Sequence, residues 1–242
     1  MTSKQQKIDI TFDFRSDTPE NKDPDSFSPT LRKYHKLLWS KELPSGNLFE
    51  LTDNHPKAYL FHKSNLGEFK ISSDTVIPSF DTYKKAIETI SKISILELQN
   101  FNTLSYTIGG MMIFPGNRIN GKATINGARG FHPLIKDRFD LTVECIRRYY
   151  LNQKSPLSET FILYSNFFRL FDDFNGYVQF FNLQDLVDSK SSKINFFMPF
   201  DDFNSSPVPG SQKVYYEYMK LAIEYIQARN ERIHKLNLYL EV

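Results

Sequence analysis

Residues 212–235 read Gln-Lys-Val-Tyr-Tyr-Glu-Tyr-Met-Lys-Leu-Ala-Ile-Glu-Tyr-Ile-Gln-Ala-Arg-Asn-Glu-Arg-Ile-His-Lys. Tyr215, Met219, Ala222, Ile226 and Ile233 recur at the spacing that gathers side chains on one face of an α-helix, so this stretch predicts a long amphipathic helix with a buried face. Working back from it, the loop Asn204–Gly210 holds Pro207 and Pro209, and Lys193–Phe200 reads as a strand. Tyr177–Val187 is either helix or buried strand, and Ser158–Phe174 reads as helix. Pro133–Leu151 is expected to be a helix with Phe139, Val143, Ile146 and Tyr150 inward and Asp137, Asp140, Glu144 and Arg147 on or near the other side.

The first half carries a different period. Ile8-Asp-Ile-Thr-Phe-Asp-Phe14 alternates apolar and polar residues, which predicts a strand. A polar loop, Ser16–Pro29, follows, and then a short helix or turn over Thr30–Lys41. Ala58–His62, Glu68–Ser72 and Leu104–Phe114 read as strands, and Asp81 is placed to cap a helix over Thr82–Ser91. Asn120-Gly121 is a type I′ turn sequence, predicting a hairpin from Leu104–Phe114 into Lys122–Asn126. Strands early and helices late imply an α+β protein: a mainly antiparallel sheet from the first half, packed by helices from the second, in a single domain.

Several stretches look familiar together. They are Thr11-Phe-Asp-Phe-Arg-Ser-Asp-Thr-Pro19, Ser28-Pro-Thr-Leu-Arg-Lys-Tyr-His-Lys-Leu-Leu-Trp-Ser-Lys41 and Ile125-Asn-Gly-Ala-Arg-Gly130. Asp137-Arg-Phe-Asp-Leu-Thr-Val-Glu-Cys-Ile-Arg-Arg148 and Asn195-Phe-Phe-Met-Pro-Phe-Asp-Asp-Phe203 complete the set. With them the chain resembles, nearly end to end, a bacterial family of hypothetical proteins. That resemblance implies a bacterial source and one full-length unit; it brings no activity, ligand or catalytic residue with it.

Composition narrows the function classes. With 40% apolar and 24% charged residues, the 242-residue chain is globular rather than disordered, and its 22 Phe and 13 Tyr must mostly fill the core. No apolar run approaches the roughly 20 residues of a membrane span. The first ten residues lack a secretory leader, and Cys145 is the lone cysteine. A soluble, cytoplasmic protein without disulfide or cysteine-zinc chemistry is therefore expected, with no membrane partner. The net charge of +2 does not suggest a dedicated nucleic-acid binder, but it is unevenly spread. Residues 116–154 hold eight basic and three acidic groups, whereas 155–242 hold eight basic and eleven acidic.

Within that basic segment glycine and arginine coincide. Six of the ten glycines lie in 109–130, and five of the ten arginines in 118–148. Arginine offers a planar fork to carboxylate or phosphate, and glycine lets backbone amides approach an anion closely. A turn over Gly127–Gly130 running into a helix near Pro133 would add a favourable dipole. The expected ligand-binding residues are Asn126, Gly127, Arg129, Gly130, Arg138, Arg147 and Arg148. The competing reading is a structural turn followed by a helix whose arginines pair with Asp140 and Glu144. No phosphate-loop motif, G-x-x-x-x-G-K-[ST] or G-x-G-x-x-G, is present.

Candidates for chemistry are sparser. Asp13 and Asp17, alternating with Arg15 on the expected strand, could support a magnesium ion, and His132 beside Pro133 could act as acid or base; exposed acidic loops and a helix-capping histidine are the plainer alternatives. No histidine pair has metal spacing, no nucleophile motif occurs, and no motif names a cofactor. The sequence thus leaves open whether the chain is an enzyme. The leading expectation is binding of a phosphate-bearing ligand, a nucleotide or nucleic acid, through 109–148. The alternatives are a metal-assisted phosphoester-processing enzyme and a protein-interaction module without a catalytic site.

Overall fold

The computed structural model describes residues 5–53, 59–78, 80, 84–236 and 238–241. In chain order its elements begin with β1 (Gln5–Lys7), α1 (Pro24–Phe27), α2 (Pro29–Trp39), β2 (Lys41–Glu42) and β3 (Leu48–Phe49). They continue through β4 (Phe61–Ser64), β5 (Gly67–Thr75), α3 (Lys84–Ile90), α4 (Ile95–Ser105) and β6 (Met111–Pro115). The second half holds α5 (Ile125–Phe131), α6 (Phe139–Tyr150), α7 (Ser158–Leu163), α8 (Ser165–Phe168), α9 (Phe174–Phe180), α10 (Gln212–Lys235) and β7 (Tyr239–Glu241). The fold is α+β, with antiparallel strand pairs in the first half and helices packed on them afterwards.

β5 is the centre of a three-stranded antiparallel sheet, with β4 on one side (Phe61↔Lys70) and β6 on the other (Ile71↔Pro115 to Thr75↔Met111). β2 and β3 form a separate hairpin, and β1 pairs with β7, joining the two ends of the described chain. On β5, Phe69 and Ile71 are buried while Lys70, Ser72 and Asp74 alternate to the other face, the period-two pattern of a strand. An aromatic cluster fills the core beside it. Phe171 packs against Phe167, Tyr177, Phe180 and Phe181 with ring centroids 5.0–5.3 Å apart, and Trp39 joins at Phe181.

α10 matches the helix expected from its spacing, with Ser211 as N-cap accepting from the Val214 amide. It also carries buried polar groups. Arg229, fully buried, donates to the carbonyls of Gly109 (3.0 Å), Met111 (2.7 Å) and Phe181 (3.1 Å). Asn230 accepts from the Gly109 amide at 2.7 Å and donates to Thr107 Oγ1 at 2.9 Å. A Cβ at position 109 would fall 2.6 Å from Asn230 Oδ1, so this helix approach requires glycine.

Other expectations need correction. Residues 8–14 are not a strand: Asp9 accepts from the Thr11 amide and Asp13 from the Arg15 amide, both at 2.9 Å, and these local turns displace strand pairing to Gln5–Lys7. The run Leu104–Phe114 is split, because α4 continues to Ser105, a 3-10 turn follows at Ile108–Gly110, and the strand begins at Met111. Asn120 and Gly121 take the expected positive φ (50° and 71°), yet they lead into α5 rather than a second strand. The helix expected from Pro133 starts at Phe139, after a turn in which Lys136 and Asp137 are left-handed. Ser158–Phe174 is broken into α7, α8 and a 3-10 turn, ended by Asp172 at φ 61°. Lys193–Phe200 is extended loop with one bridge, Val187↔Ile194. Ala58, Asp81, Thr82 and Tyr83 lie outside the described residues.

Candidate functional site

Thr124 caps α5, its hydroxyl accepting from the Gly127 amide at 3.1 Å, so Gly127–Gly130 is helical rather than an open turn. That helix aims Arg129 inward, with 0% of its side chain exposed. Nη1 lies 2.8 Å from Asp74 Oδ2 and 2.9 Å from Asp137 Oδ1. Nη2 donates to the Asp137 carbonyl at 2.7 Å and Nε to Thr142 Oγ1 at 3.2 Å. The left-handed Asp137 is held in place by its own amide, which donates to the Arg129 carbonyl at 3.0 Å. Two carboxylates thus share one buried cation.

The other arginines are likewise engaged. Arg138 chelates Asp140 through Nε and Nη2; both are buried, and Asp140 also accepts from the Phe197 amide at 2.9 Å. Arg147 donates to both Glu144 oxygens, at 2.7 and 2.9 Å, Arg148 donates to one of them at 2.7 Å, and Arg148 reaches Asp202 as well. The structure therefore pairs each of Arg129, Arg138, Arg147 and Arg148 with carboxylates of the chain, Arg147 and Arg148 sharing Glu144, and does not gather them on one open surface.

What converges instead is a polar seam along β5. Asp25 in α1 is turned inward: the Ser73 amide donates to it at 2.7 Å, the Ser73 hydroxyl also donates, and the Ser72 hydroxyl lies at 3.3 Å. Burial pushes the Asp25 carboxyl up to about 7, against the lowering effect of the Ser73 hydrogen bond. Asn126, on α5, reaches Ser72 Oγ and the Ser73 carbonyl at 3.4 Å, and its Oδ1 is buried without a hydrogen-bond partner among the described residues. Asp74 completes the row. Burial raises its carboxyl to about 6; Arg129 opposes that shift and Asp137 adds to it. Asp74 and Asp137 remain 30% and 27% exposed, so solvent reaches this end of the seam.

Asp13 and Asp17 do not join it as a carboxylate pair. Asp13 is ion-paired to Arg15 at 2.6 Å, and Asp17 accepts from the Ser28 hydroxyl and the Thr30 amide at the start of α2. Among the described residues no group of three or more His, Cys, Asp or Glu side chains is placed to hold a metal ion. His132 is the C-cap of α5; its Nδ1 accepts from the Leu134 amide at 3.2 Å, and partial burial, with the charge of Lys136, lowers its pKa.

Phe131 shares its face of α5 with Gly127 and Gly130, which are half-buried and carry no side chain. Phe131 is 86% exposed, and Gly127 and Gly130 each leave room for a methyl group: a Cβ would come no closer than 3.5 Å to Thr124 Oγ1 and 4.0 Å to Asp137 Oδ1, respectively. Arg118 and Lys122, in the loop before α5, are exposed. Sequence reading missed Asp74 and Phe131, and took Asp25 only as one more carboxylate of the acidic loop after Asp13 and Asp17. The alternation of Lys70, Ser72 and Asp74 was the available signal for Asp74.

An α+β protein with a carboxylate–arginine network against a three-stranded sheet is the class these features define. The model of the Family of unknown function (DUF6994) matches residues 8–233, and the chain belongs to that family. No curated protein and no solved structure matches it. No helix among the described residues is long and apolar enough to cross a membrane.

Proposed function

We propose that the protein binds a phosphate-bearing ligand of the nucleotide or nucleic-acid type on the face of α5 that carries Phe131. The observation that carries this reading is the exposed Phe131 beside Gly127 and Gly130, which carry no side chain. Glycine in a helix costs roughly 1 kcal/mol relative to alanine, and neither position is forced to be glycine by packing. A face kept flat next to an exposed ring suits a planar base stacking on that ring. The partly exposed carboxylates of Asp74 and Asp137 would accept base N–H donors, and Arg118 and Lys122 would meet the phosphate. In this reading Arg129, Arg138, Arg147 and Arg148 support the surface rather than contact the anion. The buried lone cysteine agrees with a cytoplasmic setting.

The test is equilibrium binding of labelled mononucleotides and short oligonucleotides to the native protein and to Phe131→Ser. Stacking is worth about 1–3 kcal/mol per base, so the variant should bind roughly 5- to 150-fold more weakly at unchanged Tm. Absence of nucleotide or oligonucleotide binding, or binding indifferent to Phe131, would reject the reading.

One observation favours an enzymatic role as a second reading. Asp74 is reachable by solvent, with its carboxyl raised to about 6, which suits a group that gives and takes a proton near neutral pH. Turnover of a bound nucleotide that Asp74→Asn abolishes even where the ligand is saturating would establish it; turnover unaffected by that change would rule Asp74 out.

A further inference from the structure

The turns of two hairpins, β2–β3 and β4–β5, lie side by side and, with the 3-10 turn Arg169–Phe171, enclose a pocket of about 490 Å³. That volume is in the range of small-molecule sites. Each turn contains a glycine with positive φ, Gly46 at 79° and Gly67 at 137°, conformations that other side chains rarely adopt. The first turn is further tied by the Leu43 amide donating to the Asn47 carbonyl at 2.8 Å. The two walls are therefore preset.

The lining chemistry is one-sided. Lys63 and Arg169 are its charged residues, Ser45, Asn47, Ser64 and Asn65 its neutral polar ones, and no carboxylate lines the pocket. Neither cation has an ion pair among the described residues; Arg169 Nη1 reaches only Asn166 Oδ1, at 3.4 Å. Glu68 is the cross-strand partner of Lys63 but does not line the pocket. Ser45 Oγ accepts from Asn47 Nδ2 at 3.2 Å and Ser64 Oγ from the Leu66 amide at 3.3 Å, which leaves both hydroxyl protons to donate. Leu43 and Leu170, both buried, supply an apolar floor.

Two cations and two hydroxyl donors over an apolar floor complement a dianion attached to a carbon body. We propose that this pocket binds a small phosphomonoester, with the phosphoryl group between Lys63 and Arg169 and the carbon body against Leu43 and Leu170. The site is distinct from the α5 surface: Gly67, at the turn, and Asp74 are seven strand steps apart on β5, about 23 Å. It stands or falls independently of the function proposed for that surface.

Calorimetric titration of the full chain with phenyl phosphate, inorganic phosphate and phenol tests it. Phenyl phosphate should bind tighter than inorganic phosphate, and phenol weakest. Lys63→Ala and Arg169→Ala should each weaken phenyl phosphate at least 10-fold at unchanged Tm, while Lys213→Ala, exposed on α10 and not part of the pocket lining, and Phe131→Ser leave it unaltered. No binding of phenyl phosphate would overturn the proposal. So would binding that survives either pocket variant, or binding lost with Phe131→Ser, which would place the phosphate at α5.

Discussion

Arg129 and Asp74 meet across 55 positions of chain, Nη1 to Oδ2 at 2.8 Å, with the guanidinium wholly buried and the carboxylate at the solvent edge. The pair fastens α5 to β5, and Asp137 ties the start of α6 to the same nitrogen.

Removing that cation strands both carboxylates. Arg129→Met should therefore destabilise the fold by about 3–5 kcal/mol, read from urea unfolding. Adding Asp74→Asn to Arg129→Met should recover part of the loss, since one stranded charge disappears. A single variant as stable as the native chain would show that the network is not needed for folding.

Asp25 and Asp74 should each make stability fall as pH rises from about 4 to about 7. His35 acts against them: burial lowers its pKa to about 3, so its contribution grows as pH rises toward its unfolded value. Asp25 and Asp74 have carboxyls raised by burial to about 7 and about 6, so the folded state holds their protons more tightly than the unfolded chain does. Their contribution is complete below the unfolded value near 4 and is lost as pH passes the folded values. For Asp25 the full span is on the order of 4 kcal/mol. Asp25→Asn, which cannot ionise, should make the slope of stability against pH between pH 5 and pH 8 more positive than that of the native chain. An unchanged slope in that variant would assign the pH dependence elsewhere.

Glycines should divide into two groups. A Cβ at Gly110 would lie 2.3 Å from the Ser105 carbonyl oxygen, and at Gly176 2.1 Å from that of Phe171, so alanine at either position must displace backbone. Each should cost at least about 2 kcal/mol, in the range of overpacked cores. Gly127→Ala and Gly130→Ala meet no such obstacle and should stabilise α5 by up to about 1 kcal/mol each. On the proposed ligand surface the same methyl groups should weaken binding while raising Tm. A fall in Tm for the α5 pair would mean that their room is illusory.

Cys145 should resist thiol reagents. It is fully buried in α6, and burial pushes its thiol up to about 12. Labelling should proceed only as fast as the chain opens and accelerate in denaturant. Native-state labelling at the rate of a free thiol would show that α6 is open at that point.

The sequence was legible where one physical pattern acted alone. α10 keeps its apolar spacing for 24 residues with a serine cap, and its expected bounds, 212–235, are those observed. Ile8–Phe14 misled because Asp9 and Asp13 offer their own oxygens to the chain two residues on, a competition that alternation does not register. α4 went unread because Ile95 and Leu96 are among its most exposed residues, which blurs its apolar face. The arginine concentration in 118–148 was real, but a guanidinium's partner is set by folding. Asp74 is 55 residues from Arg129, and Asp202 is 54 from Arg148. Asp25, one of three aspartates in a polar loop, carried no mark of its inward turn.

The grip of Asn230 on Gly109 has a kinetic side. It closes a loop of 121 residues, and β1–β7 pairing, Gln5 opposite Glu241, closes nearly the whole chain. Contacts so distant along the polypeptide form only after most of the loop-closure entropy has been met, which slows folding. On the ribosome, the Gly109 turn and the carbonyls that Arg229 caps must wait for α10 to be synthesised. Until then the partly made protein carries an unsealed apolar edge, a stage at which chaperones would be most engaged.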